Sequence, residues 1–245
     1  MSKNVVIVGG HGKVGLRLAK LLSSKHTVTS IIRDPAQAED IEKVSAIPVV
    51  LSIEDDSQSA FTQAFKDAAA DVVVWSAGAG GKGGAERTEK VDYEGAVKVF
   101  DAIKAINGKV PRLLLVSAID VRNPDEIPAH YNEEDIALSE RMRKVIGTYM
   151  KWKYEADKNL VKRDEFKWTI LRPGGLTDNP GKGTASIGRT HLSPSISRDD
   201  VAQVLALLVD REDAAGLAID LVGGASPIEG ALDAMIKKGE TDFLG

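Results

Sequence analysis

Tyr149 and Lys153 are the residues of this 245-residue chain with the plainest chemistry. They stand in the run Tyr149-Met150-Lys151-Trp152-Lys153, and on a helix residues four apart share a face. An ammonium beside a phenol favours the tyrosinate and lowers the phenol pKa. That makes a proton donor for a carbonyl whose carbon receives hydride. Ser117 closes the apolar run Leu113-Leu114-Leu115-Val116, so its hydroxyl falls at the carboxyl end of an expected strand, where it can hold a substrate oxygen. A Tyr-x-x-x-Lys pair is common in helices for structural reasons alone. It acquires chemical meaning only beside a site for the hydride donor.

The start of the chain offers such a site. Val5-Val6-Ile7-Val8 reads as a buried strand, Gly9-Gly10-His11-Gly12-Lys13-Val14-Gly15 follows, and Leu16, Leu18, Leu21 and Leu22 then recur at helical spacing. Strand, glycine turn and helix together hold a dinucleotide pyrophosphate. Gly9 permits a sharp turn off the strand, Gly12 lets backbone approach phosphate, and Gly15 allows the helix to pack closely on the sheet. The free amides and dipole of the helix N-terminus favour an anion. The spacing is Gly-x-x-Gly-x-x-Gly rather than Gly-x-Gly-x-x-Gly, so its strand–helix context carries the weight. Lys13 can add charge to the same anion site, and His11 can supply bulk over the cofactor.

The second strand ends Ile31-Ile32-Arg33. Sites that prefer NAD place Asp or Glu there for the ribose hydroxyls; a guanidinium instead suits a 2′-phosphate. The expected cofactor is therefore NADP(H). Asp34 is better explained as the N-cap of the next helix, with Pro35 at its first position.

Strands and helices alternate along the whole chain, which predicts one α/β domain: a doubly wound, mainly parallel sheet of seven strands with helices on both faces. The strands are expected at 5–8, 27–32, 47–51, 71–75, 112–117, 167–171 and 217–221. Helices are expected to follow the glycine turn and to occupy about 36–45, 57–69, 87–106, 147–163, 197 onward and 228–237. Three segments on the ligand edge carry specificity: 79–88, the long polar 120–146 with a charged helical stretch from Glu133, and a loose 177–196. Residues 80–84 read equally well as a solvated loop or a substrate gate.

These features together resemble an atypical short-chain dehydrogenase/reductase of the NmrA-like and biliverdin/flavin reductase-like subgroup. The resemblance rests on the glycine turn, Ser76-Ala77-Gly78, Val91-Asp92-Tyr93-Glu94-Gly95, Val116-Ser117-Ala118, Tyr149 with Lys153, Arg172-Pro173-Gly174-Gly175-Leu176-Thr177 and Ile196–Ala202. It implies that Ser117 and Tyr149 polarise and protonate a substrate carbonyl and that Lys153 holds the nicotinamide ribose. It also implies that Pro173, Gly174, Gly175 and Leu176 lie against the carboxamide, that Ser52 and Ile53 flank the adenine, and that Ser76, Ala77 and Gly78 approach the cofactor. The gap between Ser117 and Tyr149 is longer than in the classical members. Some NmrA-like proteins are non-catalytic NADP(H) sensors with a protein partner, which is the alternative to an NADPH-dependent reductase.

A formal net charge of −4 with no basic stripe argues against nucleic acid. The absence of cysteine excludes disulfides and thiol chemistry. The four histidines are scattered, with none at metal-ligand spacing. No charged-then-apolar leader or membrane-length apolar run is present, so a cytoplasmic protein acting on a small molecule is expected, as monomer or homodimer.

Overall fold

A computed structural model describes residues 1–80 and 83–243. Eleven strands form: β1 (Asn4–Val8), β2 (Thr27–Ile32), β3 (Ile47–Val50), β4 (Val72–Trp75), β5 (Arg112–Val116), β6 (Trp168–Pro173), β7 (Leu176–Thr177), β8 (Thr184–Ile187), β9 (Ile196–Ser197), β10 (Ala218–Gly223) and β11 (Ser226–Pro227). The main sheet runs β11-β8-β10-β6-β5-β4-β1-β2-β3. Its seven parallel strands are the seven expected. The two extra strands, β8 and β11, add antiparallel on the β10 side, so the sheet has nine. The segment 177–196 is thus less loose than its polarity suggests: β8 pairs with β10, and β9 pairs in parallel with β7. Pro48 lies in β3, an edge strand, where a missing N–H is tolerated.

Alternation along each strand sorts the core into two layers. Val5, Ile7, Val72, Val74 and Leu114 pack under helices α1 (Lys13–Leu22), α7 (Arg198–Val209) and α8 (Ile228–Lys238). The short α2 (Ala38–Lys43) adds Ile41 to the same layer. Val6, Val8, Val73, Trp75, Leu113 and Leu115 pack under α3 (Gln58–Asp67), α5 (Gly95–Lys104) and α6 (Glu133–Val161).

The helix expected at 87–106 is composite. α4 (Gly84–Thr88) runs through a π-helical turn, Glu89–Glu94, into α5. The helix expected at 147–163 begins fourteen residues earlier, at Glu133. Asn132 and Asp135 form a reciprocal capping box there, and only Ile146 departs from helical dihedrals (φ −126°, ψ 26°). Asp34 does cap the turn that follows it: its carboxylate accepts from Ala36 N at 2.9 Å. No helix among the described residues is long and apolar enough to cross a membrane.

Strand order reverses between β1 and β4, and the crevice at their carboxyl ends is where ligands bind in such sheets. Gly9 makes that crevice possible. Its φ is +83°, and a Cβ there would lie 2.8 Å from the backbone of Ala77. Gly9→Ala is expected to destabilise the fold by about 2–4 kcal/mol, lowering Tm by roughly 5–15 °C in a thermal melt.

Candidate active site

Two joined cavities occupy the crevice. The smaller, about 250 Å³, is bordered by Gly9, His11 and Gly12 of the turn, by Arg33 after β2, by Ser52 and Ile53 after β3, and by Ser76, Ala77 and Gly78 after β4. The larger, about 620 Å³, takes in Gly12, Lys13, Val14, Ser76, Ala77 and Gly78 again, then Ser117, Tyr149, Lys153 and Pro173, Gly174, Gly175 and Leu176. The shared residues make them one cleft that runs across the switch point. Every expected site residue except Gly10 and Gly15 borders it. Those two glycines work behind it: a Cβ on Gly10 would meet Ser30 Cβ at 2.5 Å, and one on Gly15 would meet the Gly9 carbonyl at 2.7 Å. A side chain at Gly15 would thus strike the backbone of the glycine turn.

The turn fits a diphosphate. α1 starts at Lys13 with Gly12 as N-cap and no side-chain cap, so its first amides are not covered by the turn's own side chains. The cations nearby are already paired. Lys13 Nζ lies 2.5 Å from Asp178, which Arg198 also holds at 3.0 Å, while Arg17 binds Asp199 at 2.6 Å. His11 meets Asp40 at 3.0 Å. Ser52 donates its hydroxyl to Asp55 at 2.6 Å, so its part in the wall is backbone and bulk. Gly81 and Lys82, within the expected 79–88 specificity segment, lie outside the described residues.

At the other end, Tyr149 and Lys153 share one face of α6, and the ammonium sits 5.8 Å from the phenol ring centroid. Lys153 is buried, ion-paired with the fully buried Asp92 at 3.3 Å, and donates to the Val116 carbonyl at 3.3 Å. Burial opposes its charge, but Tyr149, Asp92 and Asp157 outweigh that and hold its pKa above the ordinary lysine value. Tyr149 departs from expectation. Burial raises its pKa, reinforced by Asp92 and Asp157, and Lys153 offsets this only in part. The phenol is thus kept protonated at neutral pH, ready to donate rather than half ionised.

The tyrosine–lysine stripe continues one turn further to Asp157, a third member that the spacing Tyr149, Lys153, Asp157 carries in the sequence. Asp157 is fully buried and accepts the Ser117 hydroxyl at 2.9 Å. Burial pushes its pKa up to about 7 against the pull of Arg172, Ser117 and Lys153. Asp92 belongs to the Val91–Gly95 segment on which the family resemblance rests. Its Oδ2 also accepts from Ala79 N at 3.1 Å, tying the loop after β4 to the lysine.

The 31 residues between Ser117 and Tyr149 fold into a buttress. Asp120, with φ +60° and no exposed surface, accepts from Arg122 Nε at 2.7 Å, Ser139 Oγ at 2.6 Å and Tyr131 OH at 3.1 Å. This sets the first half of α6 over the cleft, where Met142 and Ile146 join Ile119 and Leu176 as apolar wall. Among the described residues, no three His, Asp or Glu side chains are placed to hold a metal ion.

An uncapped helix start at the switch point, joined to a tyrosine–lysine pair, defines a dinucleotide-binding α/β protein. The chain belongs to the NAD(P)H-binding family, whose profile matches residues 9–212. Among its relatives, UPF0659 protein C216.03 of Schizosaccharomyces pombe is 41% identical over 241 residues, 97% of each chain. A Bacillus subtilis protein carried as the uncharacterized sugar epimerase YhfK is 31% identical over 230 residues, 93% of this chain and 98% of its own. The crystal structure of the oxidoreductase ylbE from Lactococcus lactis superposes with a TM-score of 0.78 at 26% identity, covering 95% of this chain and 96% of that one.

Proposed function

We propose that the chain is an NADPH-dependent oxidoreductase that reduces a carbonyl, quinone-like or conjugated small molecule. The observation that carries this is the meeting of Ser117, Tyr149, Lys153 and Pro173–Leu176 around one cavity continuous with the glycine turn. Bound reduced nicotinamide supplies a hydride. The chain's own residues then hold the acceptor oxygen and deliver its proton. Tyr149 releases the phenolic proton to that oxygen, and Lys153, already charged and anchored by Asp92, stabilises the tyrosinate left behind. Ser117 donates its proton to Asp157; rotated toward the acceptor, the same hydroxyl would donate to its oxygen and polarise it. The resemblance to reductases and the kinship with ylbE support this class. The YhfK name points to a sugar instead, but Ile119, Met142, Ile146 and Leu176 offer an apolar wall where a sugar would need hydrogen-bonding partners.

Purified protein should consume NADPH with at least one member of a panel of carbonyls, quinones and flavins. Binding of NADPH with no turnover across the panel would favour a sensor instead. Cofactor choice rests on Arg33, whose side chain is 62% exposed at the cleft edge. NADPH should bind more tightly than NADH, and Arg33→Glu should shrink or invert the ratio by about tenfold or more. Equal affinities in the unaltered protein would remove Arg33 from that role.

A further inference from the structure

Arg33 does not stand alone at its end of the cleft. Glu54, from the loop after β3, lies 3.8 Å from the Arg33 guanidinium. Both carboxylate oxygens are taken by Arg87 of α4: Nε reaches them at 3.2 and 3.1 Å, and Nη2 reaches Oε1 at 2.7 Å. Arg87 Nη1 also reaches the Ala79 carbonyl at 3.4 Å, so it bridges the loops after β3 and β4. All three charged groups border the smaller cavity.

A carboxylate here is chemically ambiguous. Unmasked, it would accept hydrogen bonds from ribose hydroxyls and repel a 2′-phosphate. Held in a fork-to-fork bridge, each oxygen has a lone pair committed to Arg87 and the negative charge is offset where it borders the cavity. We propose that Arg87 is a specificity-determining residue that locks Glu54 away from the ribose, so that the Glu54–Arg87 bridge, together with Arg33, selects a 2′-phosphorylated adenosine. This rests on the nucleotide reading of the cleft. Two guanidiniums and one carboxylate leave a net positive charge; losing Arg87 leaves none and frees the carboxylate. The fork also holds the Glu54 pKa below its ordinary value, so the carboxylate stays ionised at neutral pH.

The test uses the full chain with 2′,5′-ADP and 5′-AMP as calorimetric probes and needs no substrate. The unaltered protein should prefer 2′,5′-ADP. Arg87→Gln should weaken 2′,5′-ADP by about tenfold or more and leave 5′-AMP unchanged or tighter, because one cation is lost and one anion unmasked. Glu54→Gln combined with Arg87→Gln should restore most of the 2′,5′-ADP affinity. A merely structural bridge would lose both probes in parallel, and the double change would rescue neither; that result overturns the proposal. Unchanged selectivity in Arg87→Gln also overturns it. If neither probe binds the unaltered chain, the nucleotide reading falls and the proposal with it.

Discussion

Tyr149→Phe is expected to lower kcat for NADPH oxidation by about 10²–10⁴-fold, the range for loss of a positioned general acid. The Kd for NADPH should change by less than about twofold, since the ring and its packing over Lys153 persist. Steady-state kinetics beside fluorescence titration of NADPH reads both quantities. The burial-raised phenol adds a pH signature. Because the pKa lies above the ordinary tyrosine value, the acid stays loaded through neutral and mildly alkaline pH. The unaltered enzyme should show no loss of kcat from this group until pH passes about 10. A Phe variant with undiminished turnover would leave Ser117 and Lys153 bordering a cleft that does its chemistry without the phenol.

Asp157→Asn carries the largest expected effect on stability. The Asp157 carboxyl has a pKa of about 7 in the folded chain against an ordinary 3.8, chiefly through burial. The folded state therefore binds its proton more tightly than the unfolded state does. Stability from this group is full below pH 3.8, falls as pH rises toward 7 and is level above that. At about 1.4 kcal/mol per pKa unit, the ionised form costs on the order of 4 kcal/mol at pH 8. Asparagine has the shape of the neutral acid and can still accept from Ser117. The variant should match the parent in urea unfolding at pH 4 and exceed it by a few kcal/mol at pH 8. Lys153 and Arg172 face Asp157, and each keeps another carboxylate: Asp92 at 3.3 Å and Asp220 at 2.9 Å. Neither cation is stranded by the change. A variant less stable than the parent at pH 8 would mean that the charge of Asp157 is needed where it sits.

Local rules account for much of this molecule. Four apolar residues followed by Gly9, Gly12 and Gly15 could only be a strand, a tight turn and a helix packed close to it. Near-continuous apolar runs placed the seven parallel strands, because a sheet covered on both faces buries both sides of each strand. The four-residue step from Tyr149 to Lys153 is a property of one helix and survives into the fold unchanged. Where the pattern failed, the cause was long-range. Thr184–Ile187 is too short and polar to announce a strand, yet it pairs with β10. The charged helical stretch from Glu133 and the helix at 147–163 read as separate elements, yet they run together as α6 from the Asn132–Asp135 cap.

Charge is the property that spacing along the chain specifies least. Lys153 beside Tyr149 implied a phenol shifted toward ionisation, since spacing along a helix reveals a neighbour but not its dielectric. Burial reverses the sign. Arg33 was legible as a cation at the end of β2, whereas Glu54 and Arg87, 21 and 54 residues further on, reach the same corner only because β1, β2, β3 and β4 stand side by side. Sequence alone thus determined the secondary elements and the types of group at the ends of the strands, both set by neighbours a few residues apart. Tertiary structure decided which of those groups are desolvated, paired or open to the cleft, because solvation and Coulomb energy depend on distance in space.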